Sequence, residues 1–420
     1  MIQEETYDVA VIGAGAAGLA AAAETAEAGR STVVIDREEL PGGILRQCIH
    51  NGFGINYFKE ELTGPEYATR ITRIAEEAGA VFALGSAVTD VKRLPDNRFG
   101  LVALSAERGV VRYTARAVIL AMGCRERTRG NLAVPGTRPA GIYTAGSAQK
   151  LLNRDGALPG TSAVIVGSGD IGLIMARRLR WCGIEVKAVI EIMPQPSGLP
   201  RNIAQCLDDF GIPLYLEHAV TNIGGAKRVE YVDVAPLADG IPDASKTFRI
   251  QCDTLLFSVG LVPENELSRQ LGVELNPATG GARVDSGFQT SVPGVFAGGN
   301  VLHVHDLVDF VSEEAALAAK AALRYLDGAP PPERNRVRVE ANLKYVVPGY
   351  FSRNLNTVFS FRPLITADAA QLTARLDGEI VWKRRLRSIR PAEMIKVELP
   401  GTLLNRSGDL VFSLETELEA

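Results

Sequence analysis

Two glycine fingerprints of one kind do most to limit what this chain can fold into: Gly13-Ala14-Gly15-Ala16-Ala17-Gly18 near the N-terminus and Gly167-Ser168-Gly169-Asp170-Ile171-Gly172 in the middle. Each follows an apolar run, Tyr7 to Ile12 and Ser162 to Val166, and each opens a helical pattern. The strand, turn and helix that give such a motif its meaning are therefore present twice. In a unit of this type the first glycine permits a tight turn and the second lets the backbone approach a pyrophosphate. The third lets the helix pack close to the strand, and the phosphates sit at the helix N-terminus, where free N–H groups and the dipole favour anions. A second strand ends in an acid in both modules, Asp36 after Ser31 to Ile35 and Glu191 after Val186 to Ile190. Each acid is placed to accept from a ribose 2′-OH, and a carboxylate there repels a 2′-phosphate, so Glu191 argues for NADH over NADPH. A lone fingerprint can be a turn before any helix; two with strand, helix and terminal acid predict two dinucleotide-binding modules.

At 420 residues, 46% of them hydrophobic, the chain can bury large cores and is expected to divide into two or three domains. No apolar stretch reaches membrane-spanning length, and Met1 to Asp8 is short and acidic for a signal peptide, so a cytoplasmic location is expected. The five cysteines, Cys48, Cys124, Cys182, Cys206 and Cys252, never form a Cys-x-x-Cys pair, which predicts neither a disulfide framework nor a zinc site. A net charge of −4 gives no sign of nucleic-acid binding. Residues 334–420 carry 14 Lys and Arg against 10 Asp and Glu, a balance of +4 that leaves −8 to the rest. The run Lys383-Arg384-Arg385-Leu386-Arg387 supplies much of it, as a solvated strand face or as a docking surface for an acidic partner.

Along the chain, residues 1 to about 40 read as a βαβ unit, residues 64–79 as an amphipathic helix, and 87–91, 99–104 and 110–113 as a strand and meander. A buried strand is expected at 117–123, before the second module begins near Leu158 and ends in Thr254 to Gly260. Residues 290–300 read as a return to the first module, followed by a helix from Phe310 to Asp327. Gly328-Ala329-Pro330-Pro331-Pro332-Glu333 is a stiff linker, and beyond it short alternating strands begin, with Arg336 to Val347 as one run and a hairpin signal at Asp377-Gly378. The expected fold is α/β: two Rossmann-like modules, the second inserted in the first, plus a small C-terminal β-sandwich. The boundaries are 1–150 with 262–328, 151–261, and 334–420.

The order of these signals, with Pro41-Gly42-Gly43, Val259-Gly260-Leu261-Val262-Pro263 and Thr290 to Asn300, resembles the pyridine nucleotide-disulfide oxidoreductase superfamily over about residues 5–328. The resemblance implies FAD in the first module and NAD(H) in the inserted one, with a hydride passing from nicotinamide to flavin. It assigns to FAD the residues Gly13, Gly15, Ala16, Ala17, Gly18, Asp36, Arg37, Gly43, Gln47, Ala87, Val88, Ala121, Met122, Gly123, Gly299 and Asn300. To the nicotinamide dinucleotide it assigns Gly167, Ser168, Gly169, Asp170, Ile171, Glu191 and Gly260. The family usually has Asp at position 300; Asn keeps a hydrogen-bonding group and loses the charge. The stretch Gly42 to Gly54 further resembles a subfamily of FAD/NAD-dependent oxidoreductases often encoded beside a glycerol-3-phosphate dehydrogenase-like flavoprotein, and more distantly the flavin subunits of opine and proline dehydrogenases.

No redox cysteine pair stands where the superfamily's disulfide reductases carry one, since Cys48 is alone and Cys182 and Cys206 are far apart. The expected activity is electron transfer from NADH through FAD to an unidentified acceptor. The open alternatives are a subunit of a heteromeric polyol-phosphate or amino-acid dehydrogenase, an NADH oxidase, and a redox-sensing binding protein. Homo- or hetero-oligomers are expected. His50, His303 and His305 fall in segments that this fold brings to the flavin, as proton-transfer groups or as structural donors, while Cys48 is a flavin contact or a small buried hydrophobe. His50, His305 and Cys48 are the catalytic candidates. The C-terminal domain, without His or Cys, is expected to serve assembly and not chemistry.

Overall fold

The apolar run before the first fingerprint becomes the buried end of β1 (Gln3–Ile12) in a computed structural model that describes residues 3–416. Its last four residues are continuously buried because the sheet is covered on both faces, which parallel strands require. β1 pairs in parallel with β2 (Thr32–Ile35), the two joined through α1 (Ala16–Glu27). The helix buries an alanine-rich face, so it packs close to the sheet. α2 (Gly64–Glu77) starts on a capping box between Thr63 and Glu66 and leads to β3 (Val81–Ala83), which extends the parallel sheet beyond β2. β4 (Ser86–Arg93), β5 (Phe99–Ser105) and β6 (Gly109–Leu120) form the meander.

Two strands expected separately at 110–113 and 117–123 are one. β6 runs unbroken because Thr114-Ala115-Arg116 contains no turn-forming residue, and it pairs with β5 along its first half and with β1 throughout.

The chain then leaves for a second compact unit, Arg125–Val262, the first unit being Met1–Cys124 with Pro263–Ala420. The division differs from the expected boundary at 150. Residues 125–150 belong to the second unit because β7 (Ile142–Thr144) is a strand of its sheet, followed by α3 (Ala145–Asn153). The sheet is completed by β8 (Ser162–Val166), β9 (Glu185–Ile190), β10 (Leu214–Tyr215) and, after an antiparallel group β11 (His218–Gly224), β12 (Tyr231–Ala238) and β13 (Phe248–Gln251), by β14 (Thr254–Phe257). Its order is β7-β14-β8-β9-β10, all parallel, with α4 (Asp170–Trp181) after β8.

Back in the first unit, β15 (Val295–Ala297) joins the sheet beside β6, and α5 (Val308–Leu326) packs on α1. The C-terminal β-region is a sandwich. One sheet has the order β18-β16-β23-β20-β21, built from Tyr350–Phe351, Asn335–Val339, Leu410–Thr416, Ala367–Leu376 and Glu379–Ile389. The other is β17 (Leu343–Val347), β19 (Thr357–Pro363) and β22 (Ile395–Leu399). Phe359, Phe361 and Phe412 close its core. The expected single run from 336 to 347 is split into β16 and β17, because Ala341 and Asn342 take positive φ values.

This sandwich has an apolar core of its own and packs within the first compact unit. Tyr345 and Val347 of β17 belong to the core of the dinucleotide-type fold, Gly349 N–H donates to Val284 O at 2.9 Å, and Arg334 reaches the fully buried Asp285 at 3.2 Å. No helix among the described residues is long and apolar enough to cross a membrane.

Candidate functional site

The three glycines of the first fingerprint have three different surroundings. A Cβ on Gly13, whose φ is +108°, would lie 2.4 Å from Ala121 O, and one on Gly18 would lie 1.7 Å from Gly13 O. Those two positions are closed by the fold's own backbone. Gly15 meets nothing within 4 Å, and it is the N-cap of α1 with no side chain capping the helix. The first turn thus faces open space with its N–H groups, as an anion site needs.

Two further glycine segments close on the same place. Gly42 N–H donates to Ala14 O at 2.7 Å, and a Cβ on Gly43 would come 3.2 Å from Gly15 Cα. A Cβ on Gly299 would sit 2.9 Å from Ala17 Cβ. Segments far apart in sequence, at 13–18, 42–43 and 298–299, therefore converge at the C-terminal edge of a parallel sheet, where ligands of open α/β folds bind. Ala121, Met122 and Gly123 follow β6 at this edge, and Ala121 N–H donates to Ile12 O. The gathered residues fit a dinucleotide such as FAD.

Asp36, at the end of β2, accepts from Ala14 N at 2.5 Å with one carboxylate oxygen and from Glu38 N at 2.8 Å with the other. Its carboxylate thus braces the fingerprint turn. Ser86 N–H donates to Asp36 O, which brings Ala87 and Val88 of β4 beside this acid, while Arg37 is exposed. Gln47 is buried in the short 3-10 turn after Gly43.

Behind Gly299 lies a cluster of ionisable groups that only part of the sequence reading anticipates. Gly299 N–H donates to Glu314 Oε1 at 2.7 Å, so this glycine offers a ligand close approach and not a donor. The other oxygen, Oε2, lies 3.1 Å from His303 Nε2 and 3.4 Å from His305 Nε2. His303 Nδ1 faces the Tyr345 hydroxyl at 3.3 Å, and His305 Nδ1 faces Asn300 Oδ1 at 3.2 Å. Asn300 is turned inward, its amide nitrogen 3.6 Å from Cys124 Sγ.

Burial pushes the Glu314 carboxyl up, but His305 and His303 beside it outweigh burial and hold it well below the usual carboxylate range. Burial, aided by His305, lowers His303 below the ordinary imidazole value, with Glu314 opposing. The ligand-type atoms of His303, His305 and Glu314 all lie within 4.8 Å of one another. The cysteine pattern predicts no metal site, and this histidine and glutamate set comes from residues that pattern does not consider.

The sandwich contributes contacts to this cluster. Tyr345 contacts His303, and Arg362 donates to Val304 O at 3.0 Å and pairs with Asp306 at 2.8 Å. Met394 N–H also donates to Asp306, and Lys396 pairs with Glu313 of α5.

Cys48 is 6% exposed and its thiol, donating to Ile44 O, is pushed up to about 12 by burial. Burial of this kind makes a thiol a poor nucleophile at neutral pH, which weighs against Cys48 as a catalytic group. His50 lies against Phe53 with the rings tilted, with Nδ1 on Asn51 O and a buried Nε2 that has no hydrogen-bond partner among the described residues. The loop that carries it is tied to α5 by Asp309, a fully buried carboxylate that accepts from the N–H groups of Gly54, Asn56 and Tyr57. Asp309 and Glu314 are missing from the sequence reading. Their signal is polar residues on the buried alanine stripe of α5.

The second unit repeats the first arrangement. A Cβ on Gly167 would lie 2.1 Å from Ser258 O and one on Gly172 2.7 Å from Gly167 O, while Gly169, the N-cap of α4, meets nothing within 4 Å. Asp170, in the first turn of α4, accepts from Leu199 N and Asn202 Nδ2; Ile171 is partly exposed, and Gly260 follows β14 with φ +98°. Glu191 differs from expectation in what it touches. Only 4% exposed, it accepts from Ser168 N, Ser168 Oγ and Ser197 Oγ with Oε2 and from Met193 N with Oε1. Its carboxylate holds the fingerprint loop, and any effect on a 2′-phosphate comes from its charge.

The sequence pattern of the pyridine nucleotide-disulphide oxidoreductases matches residues 7–322. Hydrogen cyanide synthase subunit HcnB of Pseudomonas protegens is 29% identical over 317 residues, 69% of this chain and 65% of the relative. An opine oxidase subunit of Agrobacterium tumefaciens is 28% identical over 296 residues, 64% of this chain and 55% of the relative. The chain thus spans less than two thirds of the length of both. The crystal structure of thioredoxin reductase from T. acidophilum superposes with a TM-score of 0.64 at 26% identity, covering 77% of this chain and 99% of that one.

Proposed function

Because the chain belongs to the pyridine nucleotide-disulphide oxidoreductase family, a family of oxidoreductases, we propose that its first unit holds FAD and its second NADH, and that electrons pass from the nicotinamide through the flavin to an acceptor other than a disulfide. The observation that carries this reading is the convergence of three glycine segments on the uncapped start of α1, repeated in outline at α4. Bound there, FAD supplies a two-electron acceptor for hydride. The protein's own part is to hold the pyrophosphate with the N–H groups of the α1 first turn, to place the adenosine ribose near Asp36, and to let Gly299 approach closely.

A dithiol relay is disfavoured by the chemistry of the cysteines. None of the five is in a disulfide, and burial raises the thiols of Cys48, Cys206 and Cys252. The charge of Glu191 supports NADH over NADPH.

The test is anaerobic. The purified chain is expected to be yellow with non-covalent FAD, to bleach with NADH faster than with NADPH, and to reduce quinone or dye acceptors in preference to 5,5′-dithiobis(2-nitrobenzoate). A folded, colourless protein that cannot be reconstituted with FAD overturns the reading, and preferential disulfide reduction overturns the acceptor class.

A second reading, as one component of a heteromeric dehydrogenase, is favoured by two observations. Both curated relatives are named as subunits, and the exposed basic residues Lys383, Arg384 and Arg387 lie on β21, an edge strand. Copurification of a partner supports it, rapid oxygen consumption by the chain alone supports an oxidase, and absence of turnover supports a redox sensor.

A further inference from the structure

We propose that His303, His305 and Glu314 bind a divalent transition-metal ion of the zinc class. The argument begins with protons. Asn300 Oδ1 accepts from the backbone N–H of His305 at 3.0 Å, and the amide nitrogen is directed at Cys124 Sγ, so it is the oxygen that faces His305 Nδ1. That ring nitrogen must therefore donate. In a neutral imidazole the other nitrogen, Nε2, then carries a lone pair, and it points at Glu314 Oε2 from 3.4 Å. Two lone pairs facing each other in a buried site are unfavourable unless a second proton makes the ring an imidazolium or a metal ion lies between them, and the experiment below separates the two.

The same carboxylate oxygen stands 3.1 Å from His303 Nε2. Ligands about 2.0–2.1 Å from a tetrahedral ion are about 3.3–3.4 Å apart, so both separations suit shared coordination. Two histidines and one glutamate are a set that zinc sites with one open position use.

The outer contacts are those of metal ligands as well. His305 Nδ1 is oriented by an amide oxygen, His303 Nδ1 by the Tyr345 hydroxyl, and Glu314 Oε1 by Gly299 N–H. All three ligand side chains are buried, at 0%, 2% and 7% exposure for His303, His305 and Glu314. The ion would link α5 to the segment carrying Gly299 and the two histidines, and its proximity to the cluster contacted by Tyr345 joins it to the sandwich.

The full-length protein, flavin-loaded or flavin-stripped, is treated with chelator and titrated with Co²⁺ and then Zn²⁺. One equivalent of Co²⁺ is expected, with the intense visible bands of a tetrahedral N/O site, displaced by Zn²⁺. X-ray absorption of the Zn²⁺-loaded wild type is expected to show an N/O shell with two imidazoles and no sulfur. His305→Gln and Glu314→Gln, each checked for a native circular-dichroism spectrum, are expected to weaken binding at least about tenfold. No stoichiometric uptake by the wild type overturns the proposal and leaves an imidazolium–carboxylate pair. Sulfur in the shell, or unchanged affinity in the folded variants, overturns it in favour of an ion held elsewhere. Because the readout is metal content and spectrum, failure here is distinct from failure to bind flavin.

Discussion

Replacing the fingerprint glycines one at a time separates a glycine kept for the fold from one kept for a ligand. Gly15 has φ −77° and ψ −175°, a backbone any residue adopts, and its Cβ would meet nothing within 4 Å. Gly15→Ala is therefore expected to change the stability of the flavin-free protein by no more than about 1 kcal/mol, in either direction. The added methyl stands where a pyrophosphate would approach the start of α1. Losing one hydrogen bond to a charged group, at about 1.5–3 kcal/mol, weakens FAD binding roughly 10- to 100-fold. Gly18→Ala is the opposite case. Its Cβ would be 1.7 Å from Gly13 O, against a normal contact of about 3.3 Å, so α1 must move off β1. Overpacking of this extent costs about 3 kcal/mol or more, which lowers Tm by roughly 6 °C or more. The assay pairs thermal melts of flavin-free proteins with FAD titration followed by flavin absorbance and fluorescence. If Gly15→Ala keeps wild-type FAD affinity, the α1 terminus is not the pyrophosphate site; if it melts like Gly18→Ala, the open space at Gly15 is not real.

Three other outcomes are expected. Truncation after Pro330 is expected to destabilise the first unit and impair FAD retention, since it strips Tyr345 and Val347 from the core and Arg362 from Val304 and Asp306; a fragment with wild-type Tm and flavin content would restore the sandwich to a purely assembling role. Cys48, with its thiol pushed up to about 12, is expected to resist iodoacetamide at pH 8 in the native protein and to react on unfolding, as mass spectrometry of the digested peptide will show; rapid native labelling would make it a redox candidate again. Glu191→Ser combined with Ile192→Arg is expected to shift flavin reduction from NADH toward NADPH, because a buried charge is removed and an exposed position gains a cation; an unchanged ratio in stopped-flow reduction would show that Glu191 only braces the Ser168 turn.

What was legible in the sequence was local. The fingerprints, the acids ending β2 and β9, and the capping box of α2 are short-range patterns, and their geometry follows from turn and helix chemistry over a few residues. The boundary at 125 was not legible, since β7 shows its allegiance only by pairing with β14, more than a hundred residues later. Nor were the partners of His303, which come from α5 and β17. Glu314 looks like one of two exposed acids, Glu313-Glu314, and only its place on the same side of α5 as the buried alanines 315, 318 and 322 distinguishes it. Glu191 illustrates the converse. The end-of-strand position was right, but the serines that spend its oxygens, Ser168 and Ser197, are set by a loop that closes over the fingerprint.

The contacts behind Gly299 form a single dependency that reaches from the expected cofactor site into the sandwich. Gly299 is held by Glu314; Glu314 is shared by two histidines; His303 rests on Tyr345 of β17, and the segment between the histidines rests on Arg362 of β19. Buried polar groups with several partners cost little while every partner is in place and much when one is lost, so this chain of contacts is sensitive to any member. A change in the sandwich therefore acts on Gly299 through this chain of contacts. If the first unit holds FAD as proposed, a partner protein docking on the sandwich is expected to alter the flavin absorbance through the seating of β17 and β19 against residues 303–306, and an unchanged spectrum on partner binding refutes this route.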